Sequence, residues 1–219
     1  MISRFRLVEG SLTSWVEVAA DGLVLRQALF DADRPSPELP AVLEPAPWGG
    51  SVVASARGEL AWLAGRFGAL GARLYEATYG PLTARTLPGL PDSPAARPVT
   101  ETAFERAWGA ARRDRHFAPR VSGPLPNGTR CVGTVRAVPW GPGVTGLFLD
   151  LGPGLPLPAF VDMGQLPRAP EEWPRVGAAG SYEVTDVRFH AGPPTGLQVR
   201  LRPTAPHAPA ARWPRRGPR

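Results

Sequence analysis

Lysine is absent from this sequence: all 25 basic residues are arginine, set against 19 acidic residues. Together with abundant Ala, Gly and Pro, this absence indicates a GC-rich genome. The net charge of +6 is unevenly placed, because residues 204–219 hold four arginines and no acid while the rest is close to neutral. A basic segment attracts any polyanion without specificity. The charge alone therefore does not indicate a nucleic-acid-binding core.

Cysteine and long apolar runs are also scarce. Cys131 is the only cysteine, which excludes an intrachain disulfide and a cysteine-based zinc site. No apolar run approaches the roughly 20 residues that a transmembrane helix needs. The first residues, MISRFRLVEG, lack the apolar core of a signal peptide. We expect a soluble, cytoplasmic protein with no membrane partner, no metal and no other cofactor.

Residues 1–117 mix strand-like and helix-like patterns. The runs RFRLVE, SWVEVA and LVLRQALF are rich in Val, Leu and aromatic residues, and Asp21-Gly22 marks a hairpin turn between the last two. Apolar residues recur at helical spacing after residue 55 and again after Thr102, which has capping-box spacing to Glu105. The segment LPGLPDSPAARP between them is predicted to be a loop. We predict an α+β domain, a small antiparallel sheet with covering helices.

Residues 128–203, after a predicted linker at 118–127, change to serial short strands. Five runs carry the strand pattern: RCVGTVRAVPW, GLFLDLG, PAFVDM, GSYEVTDVRF and TGLQVRLRP. Gly and Pro separate them, which favours an all-β five-stranded barrel. Residues 204–219 are rich in Pro and Arg and cannot build a core. We predict that they form a flexible, disordered tail.

The five runs carry short motifs in a fixed order: Gly133-Thr-Val135, Gly146-Leu-Phe148-Leu, Ala159-Phe160-Val-Asp162, Val176-Gly177 with Tyr182-Glu-Val184, and Val199-Arg200-Leu201. In order and spacing these motifs resemble the S-one-type RNA-binding domain, which has an OB fold. The resemblance covers about a third of the chain. It implies that bases stack on aromatic side chains of one sheet face and that cationic side chains meet phosphates.

The resemblance places Phe148 at a stacking position and Arg200 at the basic position of the last strand. With neighbouring aromatic and basic residues, the candidate nucleic-acid contacts are Phe148, Phe160, Trp140, Arg200, Arg136 and Arg188. Two departures weaken the implied function. Asp162 stands where the family commonly has histidine, and its charge would repel phosphate. The family's Asp-Phe-Gly turn is replaced by the longer GPGVTG.

The first 117 residues carry a second, fainter likeness. Trp15-Val-Glu17-Val and Phe104-Glu-x-x-Trp108 resemble a hairpin and a helix of small uncharacterised bacterial α+β domains, some of them immunity-type or accessory proteins. This likeness carries no information about activity. Trp15, Phe104 and Trp108 are expected in the core.

Two patterns would indicate an enzyme. Gly141-x-Gly143-x-x-Gly146 has dinucleotide-binding spacing, but a strand pattern follows where a helix is needed, so the match is accidental. Asp150 and Asp162 could approach each other on neighbouring strands as a metal-binding or acid–base pair, although solvated strand-end charges are the simpler interpretation. No histidine lies in a catalytic motif. We predict a non-enzyme with no catalytic residues.

Two functions of different class stay open. The first is an accessory protein whose barrel binds single-stranded RNA or DNA. The second is a protein-interaction or immunity-type module whose barrel has lost RNA binding. The motifs favour the first, whereas the near-neutral domains and Asp162 favour the second. The sequence leaves the partner and the oligomeric state open.

Overall fold

The computed structural model describes residues 1–190 and 196–205. The chain divides into two compact units, Met1–Pro124 and a second that begins at Leu125. The boundary falls inside the segment predicted as a linker. The predicted disordered tail spans residues 204–219, of which 206–219 lie outside the described residues.

The first unit combines an antiparallel sheet with two helices. Its strands are β1 (Ser3–Glu9), β2 (Leu12–Val18), β3 (Val24–Asp31), β4 (Gly50–Ala56) and β5 (Ala96–Pro98). Its helices are α1 (Arg57–Tyr79) and α2 (Glu101–Phe117). The strand order is β4-β3-β2-β1-β5, which makes β4 and β5 the edges. The predicted α+β architecture is confirmed.

Two local predictions in this unit were wrong. The segment predicted as a loop before α2 contains β5, which pairs with Phe5–Leu7 of β1. The predicted capping box at Thr102 also does not form, because α2 already begins at Glu101. The capping residue is Thr100, whose side-chain oxygen accepts a hydrogen bond from the backbone N–H of Ala103 at 3.2 Å.

Helix α2 packs on one face of the sheet through its predicted apolar stripe. Phe104 is fully buried there, and Trp15 of β2 is buried in the same unit, as predicted. An ion cluster joins the two layers: the buried carboxylate of Glu17 accepts hydrogen bonds from Arg4 at 2.9 Å and from Arg26 at 2.6 Å. Arg26 also donates to Glu105 of α2 at 2.7 Å. The cluster therefore holds α2 against β1, β2 and β3.

The second unit contains a closed barrel. Its strands are β6 (Arg130–Ala137), β7 (Gly146–Asp150), β8 (Ala159–Asp162), β9 (Ala179–His190) and β10 (Gly196–Pro203). Strand β6 pairs with β7 and β9, β7 with β8, and β9 with β10, all antiparallel, whereas β8 and β10 are parallel. This connectivity is compatible with an OB-like fold. The predicted five-stranded barrel is confirmed.

Gly146 shows why the glycine-rich loop before β7 is structural. Its φ of 145° is strained for other residues, and a Cβ at this position would collide with the carbonyl oxygen of Val161 on β8. The residues after it form a strand and no helix, as predicted. The glycine therefore permits close approach of β7 and β8 and provides no phosphate-binding helix terminus.

Candidate nucleic-acid interface

Three of the predicted site residues lie side by side on the outer face of the barrel. Phe148 of β7 is paired with Phe160 of β8, and Phe160 is paired with Arg200 of β10. The alternate residues Leu147 and Leu149 of β7 are buried in the barrel interior. We call Phe148, Phe160 and Arg200 the aromatic–arginine row.

The three side chains of the row touch in sequence. The ring centroids of Phe148 and Phe160 are 5.0 Å apart at an interplanar angle of 61°, an edge-to-face contact. The guanidinium carbon of Arg200 lies 4.7 Å from the Phe160 ring centroid, a cation–π contact. Phe160 is only 8% exposed, while Phe148 is half-buried. Phe160 therefore supports its two neighbours, and Phe148 offers more ring surface to solvent.

Acidic side chains stand next to the arginine of the row. Asp162 at the end of β8 has its Oδ2 3.8 Å from Nη1 of Arg200, an ion pair longer than a hydrogen bond. Asp186 of β9 is paired with Arg200 in register and accepts a hydrogen bond from Nε of Arg188 at 3.0 Å. Nε of Arg200 is buried and has no hydrogen-bond partner among the described residues. The charges of this face are therefore mixed.

Burial is the main cause of the shifted pKa of Arg200. Desolvation lowers the pKa of Arg200 from its usual value, and the positive charge of Arg188 lowers it further. Asp162 and Asp186 act in the opposite direction and raise it. An additional anion at this position would therefore interact favourably with a cation that the protein compensates only in part.

The other three predicted contact residues, Arg188, Arg136 and Trp140, lie outside the row. Arg188 reaches it through Asp186. Arg136 is exposed on β6, next to Ala137, which pairs with Phe148. Trp140 is exposed in the loop between β6 and β7. Arg188 therefore lies near Arg200 at one end of the row, and Arg136 lies near Phe148 at the other end.

Sequence reasoning missed Asp186 as a member of this face. The signal was present, because residues two apart on a strand point to the same side, and Asp186 precedes Arg188 by two. Its pairing with Arg200 was not readable, because the register of β9 against β10 is set by the loop that joins the two strands and not by a local pattern.

Asp150 and Asp162 do not form the metal-binding or acid–base pair that the sequence left open as the less favoured alternative. Asp162 pairs with Gly146 at the start of β7, whereas Asp150 ends that strand. Four residues of strand separate the two positions by about 13 Å. Each carboxylate instead accepts a hydrogen bond from the backbone N–H two residues later, of Gly152 and Gly164. Both aspartates therefore stabilise turns.

Residues 1–190 and 196–205 contain neither a metal site nor a helix that could span a membrane. Within these residues, no group of three or more His, Cys, Asp or Glu side chains could hold a metal ion. In the same part of the chain, no helix is long and apolar enough to cross a membrane.

The fold defines a two-unit protein, with an α+β unit and a closed five-stranded barrel whose connectivity is compatible with an OB-like fold. No protein-family model matches the chain, and no curated protein or solved structure matches it either. The S-one-type resemblance of the barrel and the likeness of residues 1–117 to bacterial immunity-type domains therefore stay predictions.

Proposed function

We propose that the barrel binds single-stranded nucleic acid through the aromatic–arginine row, and that the protein acts by binding without catalysis. The observation that carries this proposal is the row itself. Two aromatic rings and one arginine, from three different strands, touch on one outer face of a barrel. Stacking platforms backed by cations are the usual means by which OB-type barrels hold single strands.

Phe148 is the stacking residue of the proposed interface. Its ring rests against the ring of Phe160, which limits its motion, and it is only half-buried. A pre-positioned ring loses little side-chain entropy when a base stacks on it. Every base has a π-face, so this contact tolerates any sequence.

Arg200 is the phosphate-binding residue of the proposed interface. The Phe160 ring holds its guanidinium in place, and 21% of its side chain is exposed. Its Nη1 lies 3.8 Å from Asp162, too far for a hydrogen bond, so its terminal nitrogen atoms are the donors that a ligand can use. A phosphate oxygen would supply a charge-assisted hydrogen bond that the protein itself does not provide.

A second candidate function rests on the acidic side chains of the same face. The side chain of Asp162 is 58% exposed, and Asp186 lies across from Arg200. Two carboxylates beside the row suit a basic side chain of a protein partner better than a phosphate. This observation favours a protein-interaction module, and the two functions predict opposite effects of removing the Asp162 charge.

The test is a fluorescence-anisotropy titration of the full chain with short single-stranded RNA, and with single-stranded DNA, at low and high salt. Asp162→Asn keeps the oxygen that accepts from Gly164 but removes the charge. We expect Asp162→Asn to bind the single strand about fivefold more tightly, because two like charges about 4 Å apart in water repel each other by about 1 kcal/mol. Asp150→Asn is the matched control, because that exposed aspartate caps a similar turn at the other end of β7.

Two results would overturn the nucleic-acid proposal. The first is the absence of binding by the unaltered protein at low salt. The second is an equal gain in Asp162→Asn and Asp150→Asn, which would show a general charge effect.

A further inference from the structure

Two arginines face each other at the edge of the sheet in the first unit. Arg6 of β1 is paired directly with Arg97 of the edge strand β5. Directly paired residues of antiparallel strands project from the same face of the sheet, so the two guanidinium groups share one side. Like charges in such positions repel each other and destabilise the sheet.

Neither arginine is neutralised by the protein. Arg4, two residues before Arg6, has carboxylate partners at 2.9 Å in Glu17 and at 3.4 Å in Glu101. By contrast, the side chains of Arg6 and Arg97 form no ion pair and no hydrogen bond within the part of the chain that the structure describes. Two positive charges therefore lie on one side of the sheet edge, with no carboxylate partner among the described residues.

The environment of Arg6 holds its guanidinium in place. The guanidinium carbon lies 5.6 Å from the ring centroid of Trp15, its cross-strand neighbour on β2. Nε of Arg6 is buried and has no hydrogen-bond partner among the described residues. Because this atom is closed to solvent, a ligand would contact the terminal Nη atoms of this half-buried side chain.

A cavity lies at this position. It has a volume of about 330 Å³ and is lined by Arg6, Val8, Pro94, Ala95 and Arg97. Its volume is within the range of small-molecule sites, and its lining combines two cations with short apolar side chains. The cavity therefore offers a place for an anion whose remaining atoms are small or partly apolar.

We propose that this cavity binds the terminal phosphate group of a small phosphorylated compound. A phosphate monoester carries a charge of about −1.5 to −2 at neutral pH, which matches two uncompensated arginines. A phosphodiester carries only one negative charge and would leave one arginine unpaired. Guanidinium groups also match phosphate oxygens in geometry, through paired hydrogen bonds. The site uses no residue of the barrel and is independent of the function proposed above.

The experiment is calorimetric titration of the full chain with inorganic phosphate, with adenosine monophosphate and with adenosine, together with thermal unfolding at each ligand concentration. The variants are Arg6→Gln and Arg97→Gln. Arg66→Gln is the matched control, because Arg66 is exposed on α1 and its side chain has no ion pair or hydrogen bond among the described residues.

We expect the unaltered protein to bind phosphate and adenosine monophosphate but not adenosine. Arg6→Gln and Arg97→Gln should each weaken binding at least about tenfold, the scale of one lost charge-assisted hydrogen bond. Without phosphate, Arg97→Gln should unfold at the same temperature as the unaltered protein or at a higher one, because the repulsion is relieved. If Arg97 instead served only to stabilise the fold, Arg97→Gln would lower the unfolding temperature.

Three outcomes would overturn this proposal. One is the absence of phosphate binding, which would leave the arginines as charges that only protect the sheet edge. Another is equal weakening by Arg66→Gln. The third is loss of affinity by Arg97→Gln for an oligonucleotide that lacks a terminal phosphate, which would assign the cavity to a phosphodiester backbone. The RNA affinity of Phe148→Ala tests the barrel alone, so its result is independent of phosphate binding at this cavity.

Discussion

Replacing Phe148 with alanine tests the proposed nucleic-acid face at the more exposed of its two phenylalanines. The ring stands edge-to-face on Phe160 and is half-buried. If a base stacks on it, the substitution removes about 1–3 kcal/mol of binding free energy, the usual value of one stacking contact. The Kd for single-stranded RNA should then rise about 5- to 150-fold.

We expect Phe148→Ala to lower the free energy of unfolding by less than the truncation of a fully buried phenylalanine. Truncation of a fully buried phenylalanine costs about 3–5 kcal/mol. Because Phe148 lies on the outer face and is only half-buried, we expect about 1–2 kcal/mol, from a total that is typically 5–15 kcal/mol. The variant should therefore remain folded, and its affinity can be compared with that of the unaltered protein.

Phe148→Leu provides the matched control, since leucine keeps most of the apolar bulk but has no π-face. We expect its stability to be close to that of the unaltered protein and its RNA affinity to be close to that of Phe148→Ala. Thermal unfolding and anisotropy titration of all three proteins separate stability from binding. A folded Phe148→Ala with an unchanged Kd would refute the stacking role and favour a protein partner.

Three further substitutions test other parts of the structure. Arg200→Gln should reduce the slope of log affinity against log salt by about 0.7, the contribution of one phosphate contact on a single strand. Glu17→Gln should lower stability at neutral pH by about 2 kcal/mol, because Arg4 and Arg26 lose their buried carboxylate and keep only the exposed Glu101 and Glu105. The hydrogen bond and charge of Arg26 lower the pKa of Glu17. The contribution of Glu17 is therefore present above the pKa of an unfolded glutamate and is lost as pH falls through the lowered folded value, so urea unfolding of the two proteins should converge in acid. Gly146→Ala should destabilise the barrel by about 2 kcal/mol or more, whereas Gly154→Ala, whose Cβ meets open space, should change urea unfolding little.

Each of these three has an outcome that would contradict it. An unchanged salt slope would remove Arg200 from the interface. A stability difference for Glu17→Gln that persists in strong acid, or an equal loss in the exposed Glu9→Gln, would show that the ion cluster is not its cause. Equal effects of the two glycine substitutions would show that β7 and β8 have room for a Cβ.

The sequence by itself determined the kinds of elements and their order. Alternating apolar residues and Gly- or Pro-rich separators are local signals, so they predicted the strands of the barrel and the strand after Gly146. Helix α2 was predicted for the same reason, through an apolar stripe at helical spacing. Strand β5 was missed because three residues that end in Pro98 carry no local strand pattern.

Only the tertiary structure decided which side chains meet. Phe160 and Arg200 are 40 positions apart in sequence and touch because β8 and β10 pair in parallel when the barrel closes. Arg6 meets Arg97 through β5 in the same way. Asp150 and Asp162 are closer in sequence but lie apart, because Asp150 ends β7 whereas Asp162 of β8 pairs with Gly146 at the start of β7. The physical reason is that strand register depends on burying whole alternating faces against distant strands, and bulges shift it further, so no local pattern specifies it.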